Sequence, residues 1–258
     1  MGKLFGTDGI RGVVGENLTA DLAFRTGQAI AAVLEEETGR RPLVVIGKDT
    51  RISSDMLESA LMAGICDLGG DVMPVGTIPT PAVAYLTRQE GADAGIVISA
   101  SHNPYEHNGI KVFSGQGYKL SDTVEARIEA KILSDAPMKH RTRERIGRRH
   151  HGMRQMKRDY IDFVASTIES DLGGLKILCD CANGAASATA PELFGRFRAH
   201  TDFIHTDPDG VNINSGCGST HLEQLATMTV AGKYHLGIAF DGDADRCLLV
   251  DEKGHTID

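Results

Sequence analysis

The sequence predicts an α/β protein built as two consecutive units, and three observations carry that prediction. Strand-like apolar runs alternate with helix-like segments along most of the chain. The length, 258 residues, is enough to bury a sizeable core and suits two domains. In each half a buried strand runs directly into a loop of chemically active side chains, where open α/β sheets usually place their ligands. The expected division is into residues 1–150 and 151–258.

The elements follow in order along the chain. Residues 18–37 read as a helix, with Thr19 as its cap and Gly39 just past its end. Residues 42–46 are short, apolar and β-branched, hence a strand. Ser53 and Ser54 open a second helix that Gly69 and Gly70 stop, and residues 71–75 form a strand after it. Thr80-Pro81 starts a third helix, because proline suits a first helical position. Residues 95–98 are a buried strand leading to Ser101, residues 110–113 carry the chain away again, and residues 122–133 are helical. The second unit repeats the alternation. A helix over 156–169 precedes a strand over 176–179, and the small-residue turn Asn183-Gly184-Ala185-Ala186 opens a helix reaching Phe194. A strand over 200–205, a helix over 221–230 and a strand over 236–240 follow, and residues 248–250 return as a strand.

Composition narrows the function classes. A hydrophobic fraction of 41% and a charged fraction of 24% are ordinary for a globular protein in water. The net charge of −8 argues against general nucleic-acid binding. No run approaches the roughly 20 apolar residues of a membrane span. The opening Met1-Gly2-Lys3-Leu4-Phe5-Gly6 has no apolar signal core and lacks the hydroxyl residue that myristoylation needs, so a cytoplasmic location is expected. Five cysteines, Cys66, Cys179, Cys181, Cys217 and Cys247, form no CxxC pair, which argues against a zinc site or a disulfide framework. Cys179 and Cys181 share one strand face and read as core thiols. Between Met138 and Arg158 basic residues crowd together with only Glu144 opposing them. Without interleaved aromatics, this stretch reads as solvated and inter-domain rather than as a nucleic-acid patch.

Two loops carry the chemistry. Asp241, Asp243 and Asp245 alternate in Asp241-Gly242-Asp243-Ala244-Asp245-Arg246, so in an extended segment their side chains converge on one side. Two such charges about 4 Å apart repel by about 4 kcal/mol at an effective dielectric near 20. A hard divalent cation removes that repulsion, and all-oxygen ligation favours magnesium or calcium. An EF-hand opens similarly, and Glu252 falls at its twelfth position, but glycine is required where Arg246 stands. A haloacid-dehalogenase-type phosphatase would put threonine where Asp245 stands. Arg246 can fork onto a phosphoryl oxygen.

The other loop is Ser99-Ala100-Ser101-His102-Asn103-Pro104, stiffened by its proline. A serine hydrolase would need a G-x-S-x-G elbow, whereas Ala100 and His102 flank Ser101. Lys111, after Gly109-Ile110, sits on the departing strand where its ammonium could face Ser101, lower the charge of a phosphoserine or shuttle a proton. Near the start, Gly6-Thr7-Asp8-Gly9-Ile10-Arg11-Gly12 combines glycines, a hydroxyl and a guanidinium in a form suited to an anion.

Taken together, Gly6–Gly12, SASHNP with NGIK after it, and DGDADR resemble the α-D-phosphohexomutase superfamily. LFGTDGIRG and ISASHNPYEHNGIKVF are most similar to its bacterial hexosamine-phosphate branch. The resemblance implies two three-layer α/β/α domains with mixed sheets, the first half of a four-domain protein. It implies interconversion of glucosamine 6-phosphate and glucosamine 1-phosphate through a phosphoserine and a bisphosphate, on the way to UDP-N-acetylglucosamine and cell wall. In that frame Ser101 carries the phosphoryl group, and Asp241, Asp243 and Asp245 bind Mg2+ with a phosphoserine oxygen completing the site. Arg246 and Thr7 contact phosphate, Arg11 lines the cleft, and Lys111 and His102 handle protons. The expected partner is a phosphosugar, with no nucleic acid and no membrane, and a homodimer is compatible with the resemblance. The family's later sugar loop (GExSGH) and phosphate loop (RxSGTEP) have no counterpart here. The chain is therefore expected to be a fragment with little turnover of its own, still able to bind magnesium and carry phosphate on Ser101. The alternatives are a mutase of glucose or mannose phosphates, or a non-catalytic phosphorylatable, metal-binding module.

Overall fold

The computed structural model describes residues 4–6, 9–134, 136 and 138–257. In chain order the first unit holds β1 (Phe5–Gly6), β2 (Gly9–Val13), α1 (Ala20–Thr38), β3 (Leu43–Lys48), α2 (Ser54–Asp67), β4 (Asp71–Thr77), α3 (Thr80–Gln89), β5 (Ala94–Ile98), β6 (His107–Ser114) and α4 (Asp122–Leu133). Then come α5 (Met153–Ser166), β7 (Lys176–Asp180), α6 (Ala190–Phe194), β8 (His200–Ile204), α7 (Glu223–Ala231), β9 (Leu236–Phe240), β10 (Cys247–Asp251) and β11 (Thr256–Ile257).

Both sheets are mixed, as the resemblance implies. The first has strand order β1-β2-β6-β5-β3-β4, with β3 parallel to β4 and β5, and β6 antiparallel to both β5 and β2. Strand β5 is buried along its whole length, so it reads as a continuous apolar run instead of an alternating one. One core lies on the α1, α2 and α4 side, around Ile30, Leu61, Ile96, Ile98 and Ile128. The other lies under α3 and α5, around Val45, Val83, Leu86 and Met156. Helices on both faces of one sheet make the three layers. The second sheet runs β11-β10-β9-β7-β8, with β7 parallel to its two neighbours and β10 antiparallel to β9. Cys179 and Cys181 lie fully buried in its core, as expected.

Helix α1 begins where the Thr19 hydroxyl accepts from the Leu22 N–H at 3.2 Å. It crosses α2 at backbone contact. A Cβ on Gly64 would collide with the Phe24 carbonyl oxygen, and one on Gly27 with that of Leu61.

Two segments differ from the sequence reading. The glycine-rich start forms β1 and β2, and β2 pairs with β6 through Ile10 against Ile110 and Arg11 against Gly109, because β6 would otherwise be an open sheet edge. The basic stretch is exposed but fastened to the first unit. Its backbone bonds Asp67 and Cys66 on α2 and Val72 on β4. The opposing charges missing locally come from elsewhere: Arg141 pairs with Glu35, His140 meets Asp67 at 2.6 Å, and Asp71 accepts from the Arg148 N–H at 2.8 Å. Burial works against the Asp71 charge, but the Arg148 N–H, His150 and Arg41 outweigh it and hold the carboxyl below its usual range. The stretch leads into α5, which packs on the first sheet through Met156 and stacks Phe163 on Tyr85 with ring centroids 4.2 Å apart.

Candidate active site

The serine loop and the acidic loop are built alike. Each connects a buried central strand to its antiparallel return neighbour, β5 to β6 and β9 to β10. The two loops meet at the carboxyl ends of those strands. There the Ser101 hydroxyl donates to Asp241 Oδ2 at 2.5 Å across a sequence separation of 140 residues. Ser101 is buried, and its backbone is left-handed at φ 54°. Its N–H donates to the Ser99 hydroxyl at 2.9 Å, and the Asn103 N–H closes a turn onto Ala100 O at 3.1 Å.

Asp241, Asp243 and Asp245 each offer an oxygen within 4.8 Å of the others. Burial, with the Asp243 charge adding to it, pushes the Asp241 carboxyl up to about 6. Burial also works against the charge on Asp243, but the Lys111 ammonium and the Thr80 hydroxyl outweigh it and hold that carboxyl below the usual range. Lys111 Nζ donates to Asp243 Oδ2 at 2.9 Å and lies 3.5 Å from Asp245. The ammonium expected to face Ser101 thus spends its bonds on the acidic loop, since two carboxylates outcompete a neutral hydroxyl for it. Thr80, at the start of α3, donates its hydroxyl to Asp243 Oδ2 at 2.7 Å and its N–H to Asp243 O at 2.9 Å. The other carboxylate oxygen, Asp243 Oδ1, is buried with no hydrogen-bond partner among the described residues. Three convergent carboxylates, one with an orphaned buried oxygen, fit a hard divalent cation.

His102 Nδ1 lies 3.5 Å from Ser101 Oγ and 3.2 Å from Arg246 Nη1. Burial, followed by the charges of Arg246 and Arg11, lowers its pKa and keeps the imidazole neutral. Arg246 points its half-exposed guanidinium toward that histidine, and its N–H donates to Asp241 Oδ1 at 3.2 Å. Arg11 projects from β2 beside Gly109. Thr7 lies outside the described residues. A cavity of about 500 Å³ lined by His102, Tyr105, Ile213, Asn214 and His221 opens against the serine loop.

Sequence reasoning missed the supports. Asp49 and Arg51, at the end of β3, are fully buried and form an ion pair. Arg51 donates to the carbonyls of Ser101 at 3.1 Å and Asn103 at 2.6 Å. The signal was present, because Lys48-Asp49-Thr50-Arg51 is a charged run at the carboxyl end of a buried strand, like the two loops already singled out. In the sequence Thr80 reads only as a helix start, and Asn214 carries no mark.

Asp180, His205 and Cys217 also bring ligand-type atoms together. Here the Asp180 oxygens are engaged by backbone, Oδ1 accepting from Ala182 N at 2.8 Å and Oδ2 from Gly218 N at 2.9 Å. Burial, with Asp180 beside it, pushes the Cys217 thiol up to about 12. A protonated thiol and a carboxylate committed to loop amides make this a fastening of three loops.

Two mixed-sheet α/β units thus set a hydroxyl and three carboxylates at their junction, a site that fits a hard divalent cation. The chain belongs to the phosphoglucomutase/phosphomannomutase family: the models of its α/β/α domains I and II match residues 2–138 and 158–254. It is 55% identical over 260 residues to a phosphoglucosamine mutase of Clostridium botulinum, covering 100% of this chain and 57% of that protein. A phosphoglucosamine mutase of Acetivibrio thermocellus is 54% identical over 259 residues and is covered to 58%. A phosphoglucomutase/phosphomannomutase family protein from Burkholderia thailandensis superposes with a TM-score of 0.84 at 28% identity, over 98% of this chain and 56% of that one. The chain thus spans a little over half the length of the curated relatives it matches. Among the described residues no helix is long and apolar enough to cross a membrane.

Proposed function

We propose that this chain carries the phosphoserine and cation-binding half of a mutase that interconverts glucosamine 6-phosphate and glucosamine 1-phosphate. The observation that carries the reading is the Ser101 hydroxyl set 2.5 Å from the first of three convergent carboxylates. The first unit, residues 1–150, would contribute the serine loop, and the second, residues 151–258, the acidic loop. Ser101 would hold a phosphoryl group and pass it to a sugar hydroxyl, giving a hexosamine bisphosphate. After that intermediate turns round, Ser101 would take back the other phosphoryl group.

Asp241, Asp243 and Asp245 would hold a magnesium ion, whose chemistry when bound is to neutralise the phosphoryl group in transfer. Lys111 steadies two of those carboxylates and adds positive charge beside the transferring group. His102, kept neutral, is the local group able to accept a proton from an incoming hydroxyl. Arg246, Arg11 and Thr7 would bind phosphate oxygens. Turnover would draw on the part of the relatives that this chain does not cover, and the work would be done in the cytoplasm, where sugar phosphates are made.

Identity of 55% to phosphoglucosamine mutases favours hexosamine over glucose or mannose phosphates. The test is intact-mass analysis of the chain at its native length. One phosphoryl group on Ser101, removed by glucosamine 6-phosphate and absent from Ser101→Ala, supports the reading. Failure of Ser101 to gain or lose phosphate with any hexose phosphate refutes it and leaves a non-catalytic module.

A further inference from the structure

Asn214 lies in the loop that follows β8, with its backbone left-handed at φ 58° and its side chain buried. Its own N–H is fixed to Ala182 O at 2.9 Å. Its side-chain nitrogen donates to the carbonyl oxygens of Ser101 at 2.9 Å and Asn103 at 3.1 Å. Those are the same two carbonyls that Arg51 bonds. The acidic loop closes on the same spot. A Cβ on Gly242 would stand 2.6 Å from Ser101 O and 2.8 Å from the Asn214 side-chain nitrogen. Three segments far apart in sequence therefore converge on one carbonyl, that of the residue whose hydroxyl faces Asp241.

The backbone of Ser101 itself explains why a clamp is needed. A non-glycine residue in the left-handed region is strained and stays there only when its surroundings fix it. Arg51, from the first unit, fixes the loop relative to its own sheet. Asn214 reaches across from the unit that also carries Asp241, so its bonds set the serine relative to the carboxylates.

We propose that Asn214 is a positioning residue for phosphoryl transfer. With Arg51 it grips the Ser101 carbonyl and so sets the line along which a phosphoryl group enters and leaves Oγ. The proposal rests on the mutase reading. Oγ is separated from the gripped backbone by a single side-chain torsion, so a loop displacement reaches it almost undiminished. A misplacement of about 1 Å can cost on the order of 100-fold in rate.

Two substitutions test it in the chain at its native length. Asn214→Gly adopts the left-handed backbone freely and deletes both donors. Asn214→Asp keeps the shape but sets carboxylate oxygens against two carbonyls. Both are expected to slow phosphoryl transfer between Ser101 and glucosamine phosphates by roughly 10- to 100-fold, with KM nearly unchanged. Both are also expected to speed amide hydrogen exchange at residues 101–103. Unchanged exchange overturns the proposal, and so does a lowered melting temperature with full kcat per folded molecule, because that pattern marks a merely structural bond. If the unsubstituted chain transfers no phosphoryl group, the mutase reading fails separately, and the exchange rates of Asn214→Gly then decide the clamp.

Discussion

Replacing Asp241 by asparagine should stabilise the metal-free protein. In the fold its carboxyl is pushed from an ordinary 3.8 up to about 6, first by burial and then by the neighbouring charge on Asp243. The folded chain therefore holds this proton more tightly than the unfolded chain does. The resulting stabilisation is fully present below about pH 4 and is lost as pH rises through about 6. At pH 7 the ionised carboxylate costs the fold about 3 kcal/mol, since one pKa unit corresponds to about 1.4 kcal/mol. Asp241→Asn removes that cost and keeps the local hydrogen bonds. Its carbonyl can still accept from the Arg246 N–H, and its amide can donate to a rotated Ser101 hydroxyl.

The expected gain at pH 7 in EDTA is about 2–3 kcal/mol, or roughly 5–10 °C in Tm for a chain of this size. The assay is thermal unfolding of the two proteins at pH 5 and pH 7, with EDTA and with excess magnesium. The difference should shrink toward pH 5, where Asp241 holds its proton, and should shrink or reverse with magnesium, which the original carboxylate binds better. Titrating groups away from this loop are common to both proteins and cancel. The depressed Asp243 carboxyl in any case acts only below about pH 4, its stabilisation being lost as pH falls. An Asp241→Asn protein less stable than the parent in EDTA at pH 7, or a difference independent of pH, would refute the electrostatic reasoning.

Lys111→Met should cost about 3 kcal/mol in EDTA by urea unfolding, because it leaves the buried Asp243 carboxylate without its ammonium, and magnesium should restore part of the loss. Gly64→Ala should cost about 1–3 kcal/mol, since the added methyl would force α1 and α2 apart, while magnesium binding at the distant loops stays the same by titration calorimetry. Gly242→Ala should abolish phosphate uptake on Ser101 by intact mass with both units still folded by far-UV circular dichroism. A methyl there would stand 2.6 Å from Ser101 O and push the two loops apart.

The alternation of elements was legible because apolar runs and cap residues act locally. Thr19 caps α1, and residues 122–133 form the expected helix. The strands leading into both loops were legible too, β5 above all, since a strand buried on both faces must be apolar throughout. The short pairings β1 with β2 and β10 with β11 were not, because two-residue strands carry no period and exist only where a neighbour offers an open edge.

By itself the sequence determined which side chains could do chemistry: a hydroxyl in a stiff loop and three carboxylates at alternate positions. Tertiary structure decided how they meet. It brought Ser101 to Asp241, turned Lys111 toward Asp243, and set Arg51 and Asn214 on a shared pair of carbonyls. It also found partners for the basic stretch among acids distant in the chain. The reason is range. Propensity and periodicity are properties of neighbouring residues, whereas a hydrogen bond between two units depends on how both sheets pack.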